Sequence, residues 1–227
     1  MVRSRLLDII LPPRCGGCHI VGSWLCDRCR SRIRRLEEPL CRRCGAEVES
    51  ARVGCGCRKR LRSLTRLRSA AAYEGPVELA LQRFKYHGWR RLAEPLALLM
   101  AERLVVEGLA ASWAVAVPLH SSRLRQRGFN QSELLARELC RRLTLTKPPG
   151  NLVRTRATPP QVGHDRPWRL ANVHDAFEWQ GRPLEGRSIL LIDDVTTTGA
   201  TMEACAAALR SGGSGPVMGV SVARVTV

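Results

Sequence analysis

The stretch Ile189-Leu-Leu-Ile-Asp-Asp-Val-Thr-Thr-Thr-Gly-Ala-Thr201 confines the fold more tightly than any other part of the chain. An apolar run from Ser188 to Ile192 reads as a strand with no polar face, the kind found in parallel sheets covered by helices on both sides. The run ends on two adjacent carboxylates, Asp193 and Asp194. A threonine-rich turn follows, and Ala200 to Leu209 reads as a helix closed by the glycine-rich turn Gly212 to Gly215. Ligands of open α/β sheets bind at such strand-to-helix junctions. The helix start offers unpaired amides and a positive dipole end. Thr197, Thr198 and Thr201 add hydroxyls, and Gly199 lets the backbone come close to a bound anion. Carboxylates repel phosphate but accept hydrogen bonds from the two hydroxyls of a ribose. Val195 to Thr201 therefore reads as a phosphate cradle, with Asp193 and Asp194 as a sugar clamp. An aspartate N-cap on an ordinary helix accounts for one acid and one threonine, not for two acids, four threonines and a glycine in this order.

The rest of the C-terminal part supports a sheet around that strand. Leu67 to Tyr73, Ala114 to Val117, Leu152-Val153 and Val217 to Val225 read as strands. Val77 to Tyr86, Leu92 to Val106 and Ser132 to Leu143 carry helical apolar spacing, with Pro76 placed to open the first. Pro118 to Phe129 and Arg154 to Asn172 read as loops. Strands alternating with helices imply a mostly parallel α/β sheet with helices on both faces.

Residues 1–62 have a different texture. They hold eight of the chain's ten cysteines, paired as Cys15/Cys18, Cys26/Cys29, Cys41/Cys44 and Cys55/Cys57. A Cys-x2-Cys knuckle aims two thiolates at one ion, and two knuckles complete a tetrahedral site. The set suits two Zn2+ ions, paired either sequentially or in a cross-braced way. A disulfide framework is the alternative. It fits an exported chain, and the only apolar run near the start is short and broken by Pro12 and Pro13. Cys140 and Cys205 fall in helical patterns as core residues. The expected organisation is a zinc-binding module over 1–62 and an α/β domain over 63–227, with no membrane span and a cytoplasmic location.

The formal net charge is +17, and 17 of the 37 Arg and Lys residues lie within 1–68. Such a surplus suits polyanionic partners, although the preference for Arg over Lys also fits a compositional bias. Arg123, Arg125 and Arg127, beside Pro118-Leu119-His120, could clamp a diphosphate or a DNA backbone. Lys85 and His87 read as helix-end residues near a negative dipole. Arg154, Arg156, Gln161 and Arg166 surround Thr158-Pro-Pro and form a candidate lid.

The Asp193–Thr201 segment resembles the signature of type I phosphoribosyltransferases. That resemblance implies that Asp193 and Asp194 hold the ribose of phosphoribosyl pyrophosphate (PRPP), that Thr196 to Thr201 hold its 5-phosphate, and that Mg2+ bridges the diphosphate. Further motifs narrow the match: the cysteine pairs, Phe84-Lys-Tyr-His-Gly88, Val117-Pro-Leu-His120, Arg125-Gln-Arg-Gly-Phe-Asn-Gln131 and Arg154-x-Arg-x-Thr-Pro-Pro-Gln161, with Arg166, Arg169 and Asn172. In this order they resemble the ComF family of competence-associated proteins over nearly the whole chain. The resemblance implies a cytoplasmic protein acting in natural transformation, a phosphoribosyl ligand, and single-stranded DNA as a partner. Two other functions stay open: an active phosphoribosyltransferase with an unidentified acceptor, and a zinc-ribbon adaptor for a helicase-like partner. No base-reading hood is recognisable, so no acceptor follows from the residues.

Overall fold

The structure is a computed structural model that describes residues 12–50, 55–155 and 176–226. Its centre is a four-stranded, wholly parallel sheet built from β1 (Leu64–Ala72), β2 (Trp113–Ala116), β5 (Ile189–Thr196) and β6 (Val217–Arg224). The spatial order is β1-β6-β5-β2. Two further strands, β3 (Gly150–Arg154) and β4 (Phe177–Gly181), form a separate antiparallel pair.

The apolar run of β5 decides how the sheet is covered. Leu190 and Ile192 point into one buried cluster with residues of α2 (Gly75–Tyr86), α3 (Ala93–Val106) and α5 (Gln131–Leu143). Ile189 and Leu191 point the other way, onto Met202, Cys205, Ala206 and Leu209 of α6 (Ala200–Ser211) and onto Leu152 and Phe177 of the β3–β4 pair. Alternating side chains of one strand thus seal both faces. The expected α/β sheet, with helices on both sides, is present.

Local chemistry departs from the sequence reading in three places. Within Pro118 to Phe129, expected as loop, Ser121–Arg127 forms the short helix α4. His120 caps it by accepting from the Ser122 amide, and Gly128 closes it at φ +72°. Strand β4 was not expected at all. Its Phe177-Glu-Trp-Gln-Gly181 pairs residue for residue with Gly150–Arg154. β5 also runs further than its apolar core, so both aspartates belong to the strand itself.

The cysteine-rich segment, which includes the one-turn helix α1 (Asp27–Ser31), lies against the open edge of β1. The Leu67 and Ala72 amides donate to the Arg43 and Arg34 carbonyls at 2.7 and 2.9 Å. Gly45, at φ +67°, comes so close that an added Cβ would sit 2.6 Å from the Leu67 carbonyl oxygen. Behind it, the Glu203 carboxylate on α6 accepts from three successive amides, Arg62 (2.8 Å), Ser63 (2.7 Å) and Leu64 (3.1 Å). This fastens the segment that follows Cys57 to the start of α6. Replacing Glu203 by Ala strands three donors, and urea denaturation of the zinc-loaded protein should register a loss of about 2 kcal/mol. A loss below a few tenths would mean that water satisfies those amides equally well.

Candidate functional site

The cysteines assemble sequentially. Cys15, Cys18, Cys26 and Cys29 form one set and Cys41, Cys44, Cys55 and Cys57 the other, with the four Sγ atoms of each set within 4.8 Å of one another. Individual pairs such as Cys18–Cys26 and Cys41–Cys57 lie at 3.6 Å. Four thiolates bound tetrahedrally at the usual zinc–sulfur length sit about 3.8 Å apart, so the geometry fits. The cysteines are free, not joined as disulfides. Amides of Gly17 and Cys26 donate to Cys15 Sγ at 3.4 and 3.3 Å. Such donors stabilise a thiolate, the form that binds metal. The donor set and its spacing give two four-cysteine sites for Zn2+.

The second site is wired into the α/β domain. Buried Arg224, at the end of β6, donates to the Cys44 carbonyl at 2.8 Å. Arg60, three residues past Cys57, donates to the Thr198 carbonyl at 3.3 Å. Leu61 packs beneath Gly199.

A cleft of about 240 Å3 opens at the carboxyl ends of β2 and β5. Its lining includes Asp193 and Asp194, every residue from Val195 to Met202, Pro118 and Leu119 after β2, and the cations Lys85, Arg123, Arg127 and Arg154. Arg123 and Arg127 are one helical turn apart on α4 and share its cleft side. Arg125 is exposed and does not line the cleft, and His120 is engaged as the α4 cap. Arg156, Gln161 and Arg166 lie outside the described residues.

The floor of the cleft is a network of charges. Lys85 Nζ sits 2.9 Å from Asp194 Oδ1, and both side chains are nearly buried. Burial works against the Lys85 ammonium, but the Asp194 carboxylate outweighs it and holds the lysine above its ordinary range. Asp193 Oδ1 accepts from Ser132 Oγ on α5 and from the Asp194 amide, each at 2.9 Å. Asp193 lies deep among protein atoms while keeping some surface on the cleft. Burial, then the Asp194 charge, push its carboxyl up to about 7, against the pull of those two donors. Burial and the nearby Arg123 lower the Arg154 guanidinium, which stacks 5.4 Å over the Phe177 ring. Two guanidiniums that oppose one another across a cleft are both relieved by an anion between them.

The threonine-rich loop after β5 keeps its donors available. Gly199, at φ +84°, is the N-cap of α6 and has no side chain with which to cap it. A Cβ there would crowd Leu67 and Leu61 at 3.2 and 3.3 Å and hold a left-handed backbone unfavourably. Thr198 Oγ1 accepts from the Ala200 amide at 3.3 Å, which shapes the turn. Among the described residues the buried Thr196 hydroxyl has no hydrogen-bond partner, a debt that a ligand oxygen is suited to meet.

Sequence reasoning missed Lys85 and Ser132 as parts of this floor. Lys85 carried a readable signal: it stands four residues after Leu81, on the apolar stripe of α2 with Val77 and Phe84. A lysine on a buried stripe needs a carboxylate. Ser132 carried no signal, because the contact depends on how α5 packs on β5.

Metal analysis of the purified chain should give two zinc ions per molecule, falling to one in Cys44→Ser. Unchanged or fully lost zinc in that variant would contradict two independent sites. The Asp193 proton is held more tightly in the folded state, so the stability it contributes is complete below pH about 3.8 and lost as pH rises through about 7. Asp193→Asn removes that dependence. Its melting temperature relative to wild type should rise between pH about 4 and 7, then level off. A constant difference would place the carboxyl in an ordinary environment.

Comparison with known proteins follows the same division of the chain. A model of the double zinc ribbon domain matches residues 6–61. The chain is 32% identical over 219 residues to the DNA utilization protein YhgH of Escherichia coli O157:H7, covering 92% of this chain and 96% of that one. It is 32% identical over 203 residues to competence protein F of Haemophilus influenzae, covering 86% and 88%. It is 28% identical over 192 residues to competence protein ComFC of Bacillus subtilis, covering 82% and 77%. With such identity along nearly its full length, and with two four-cysteine ribbons ahead of a parallel sheet, the chain belongs to the ComF family.

Proposed function

We propose that the cleft binds a 5-phosphoribosyl ligand, PRPP or a nucleotide, and that the protein uses this site in handling DNA taken up by the cell. One observation carries the ligand reading. Two adjacent acids at the end of β5 stand beside the open amino end of α6, joined by the threonine turn and bordered by Arg123, Arg127 and Arg154. Asp193 and Asp194 would accept from the ribose hydroxyls. The loop amides, with the hydroxyls of Thr196, Thr197, Thr198 and Thr201, would take the 5-phosphate. The arginines would meet a diphosphate, with Mg2+ carried in on that group to offset its charge, since dedicated protein cages for Mg2+ are uncommon. The biological setting rests on the relatives, whose names refer to DNA utilization and competence. Exposed Arg28, Arg32, Arg42, Arg58 and Lys59 on the ribbons suit a phosphate backbone, and binding of single-stranded DNA there would weaken steeply with salt. In this reading residues 1–62 form the zinc module and 63–227 the phosphoribosyltransferase-like domain.

Catalysis is a second reading of the same cleft, favoured by its three arginines. Displacement at the anomeric carbon of PRPP leaves negative charge on departing diphosphate. Preorganised guanidiniums stabilise that charge without reorganising. Asp193 and Asp194 would orient the sugar, and the ion pair with Lys85 would hold the Asp194 side chain in place.

Calorimetric titration with PRPP and Mg2+ tests the ligand reading. Wild type should bind at micromolar concentration, and the doubly substituted Asp193→Ala/Asp194→Ala protein should lose about tenfold or more in affinity. Absence of binding by a folded, zinc-loaded wild type would rule the reading out. Consumption of PRPP with a defined acceptor would select the catalytic version.

A further inference from the structure

We propose that Tyr86 and Arg127 form a stacking seat at the rim of the cleft for the nucleobase-like ring of its ligand. The proposal deepens the phosphoribosyl reading and rests on it. Tyr86 is the last residue of α2. It is 66% exposed, and among the described residues it is the one aromatic side chain of the large exposed apolar group. An isolated surface tyrosine is ordinary. This one is placed by two neighbours that belong to the cleft. Lys85 precedes it and reaches the Asp194 carboxylate on the floor. Arg127 lines the cleft and lies 5.1 Å over the Tyr86 ring.

Arg127 is also anchored, donating to Gln131 Oε1 at 3.0 Å. A guanidinium fixed against a ring steadies that ring while leaving much of it in water. The other aromatic rings nearby are spent on packing. Phe84 is fully buried and packs against Phe129 at 5.8 Å, and Arg90 covers Phe129 at 4.8 Å. Tyr73, whose ring also lies near Lys85, is half-buried and packs on the core, so among the described residues Tyr86 is the exposed aromatic surface beside the sugar clamp. A phosphoribosyl ligand with its phosphate at α6 and its ribose over Asp193 and Asp194 projects its anomeric substituent away from the phosphate. A flat ring there gains a π-face from Tyr86 and a cation–π partner in Arg127. Stacking of this kind tolerates any base, which fits a cleft whose lining, among the described residues, presents no set of amide side chains to read one.

The test compares two ligands that differ by the ring: ribose 5-phosphate and adenosine 5′-monophosphate. Both are titrated into the zinc-loaded full chain. Wild type should bind the nucleotide about tenfold more tightly, the gain of one base stacked on an aromatic side chain. Tyr86→Ala should erase that preference while leaving ribose 5-phosphate affinity unchanged, and Tyr86→Phe should retain it. The ring is largely exposed, so both variants are expected to fold, and circular dichroism with zinc content verifies this. Equal affinities in wild type, or a Tyr86→Ala protein that keeps its preference or weakens both ligands alike, would overturn the stacking seat and leave the cleft reading standing. A wild type that binds neither ligand overturns both.

Discussion

Two carboxylates on consecutive residues of a buried strand cannot both hold charge unless cations and donors are brought to them. The architecture around β5 brings both, but unequally. α2 ends where Lys85 can reach Asp194, and α5 begins where Ser132 can donate to Asp193. The start of α5 is itself fixed, because Asn130 accepts from the Ser132 amide while donating to the Val117 carbonyl at the end of β2. Neighbouring strand, following helix and preceding helix therefore all bear on one pair of acids. The result is asymmetric: Asp194 is committed to an ion pair, whereas the Asp193 carboxyl is pushed up to about 7. Adjacent groups of the same type acquire different characters when their surroundings differ in this way.

What could be read from the sequence was whatever is encoded within a few residues. The apolar run of β5, its acids, the threonine turn and the opening of α6 form one continuous segment, so strand, loop and helix were legible together. The cysteine knuckles are local too, but which knuckle meets which depends on chain path, and both pairings stayed open until the two sets were seen. α4 escaped because Ser121 to Arg127 has no apolar stripe and buries none of its residues. It stands on its cap, its terminal glycine and the cleft. β4 escaped because a five-residue strand that buries only its first residue has little pattern of its own, and its partner β3 lies far back in the chain. Contacts across long sequence separations left no trace: Glu203 with the amides of residues 62–64, and Arg224 with Cys44.

Those distant contacts change how the two halves of the chain relate. A small cysteine-rich segment has little core and folds around its metal. Here it also supplies Arg60 and Leu61 to the underside of the threonine-rich loop, where Gly199 leaves room for them. The buried Arg68 contributes on the other side. It pairs with Glu107 at the end of α3 at 2.7 Å and reaches the Cys41 carbonyl at 3.4 Å. The second ribbon is thus packed as a layer of the α/β domain, held by charge-assisted hydrogen bonds that use backbone carbonyls of its own knuckles.

The position of the ribbons on β1 has a consequence for how the molecule fails. A parallel sheet ends in strands whose outer amides and carbonyls are unpaired, and an uncovered edge of that kind recruits strands from other chains. Donation from Leu67 and Ala72 to the Arg43 and Arg34 carbonyls covers this edge with metal-organised backbone. Zinc bound at the knuckles would accordingly guard this edge against self-association as well as shape the segment. A molecule stripped of it would present a nine-residue strand, buried along most of its length in the native fold, to its neighbours. Its characteristic damage would be insoluble material seeded at β1, not a soluble protein with an empty cleft.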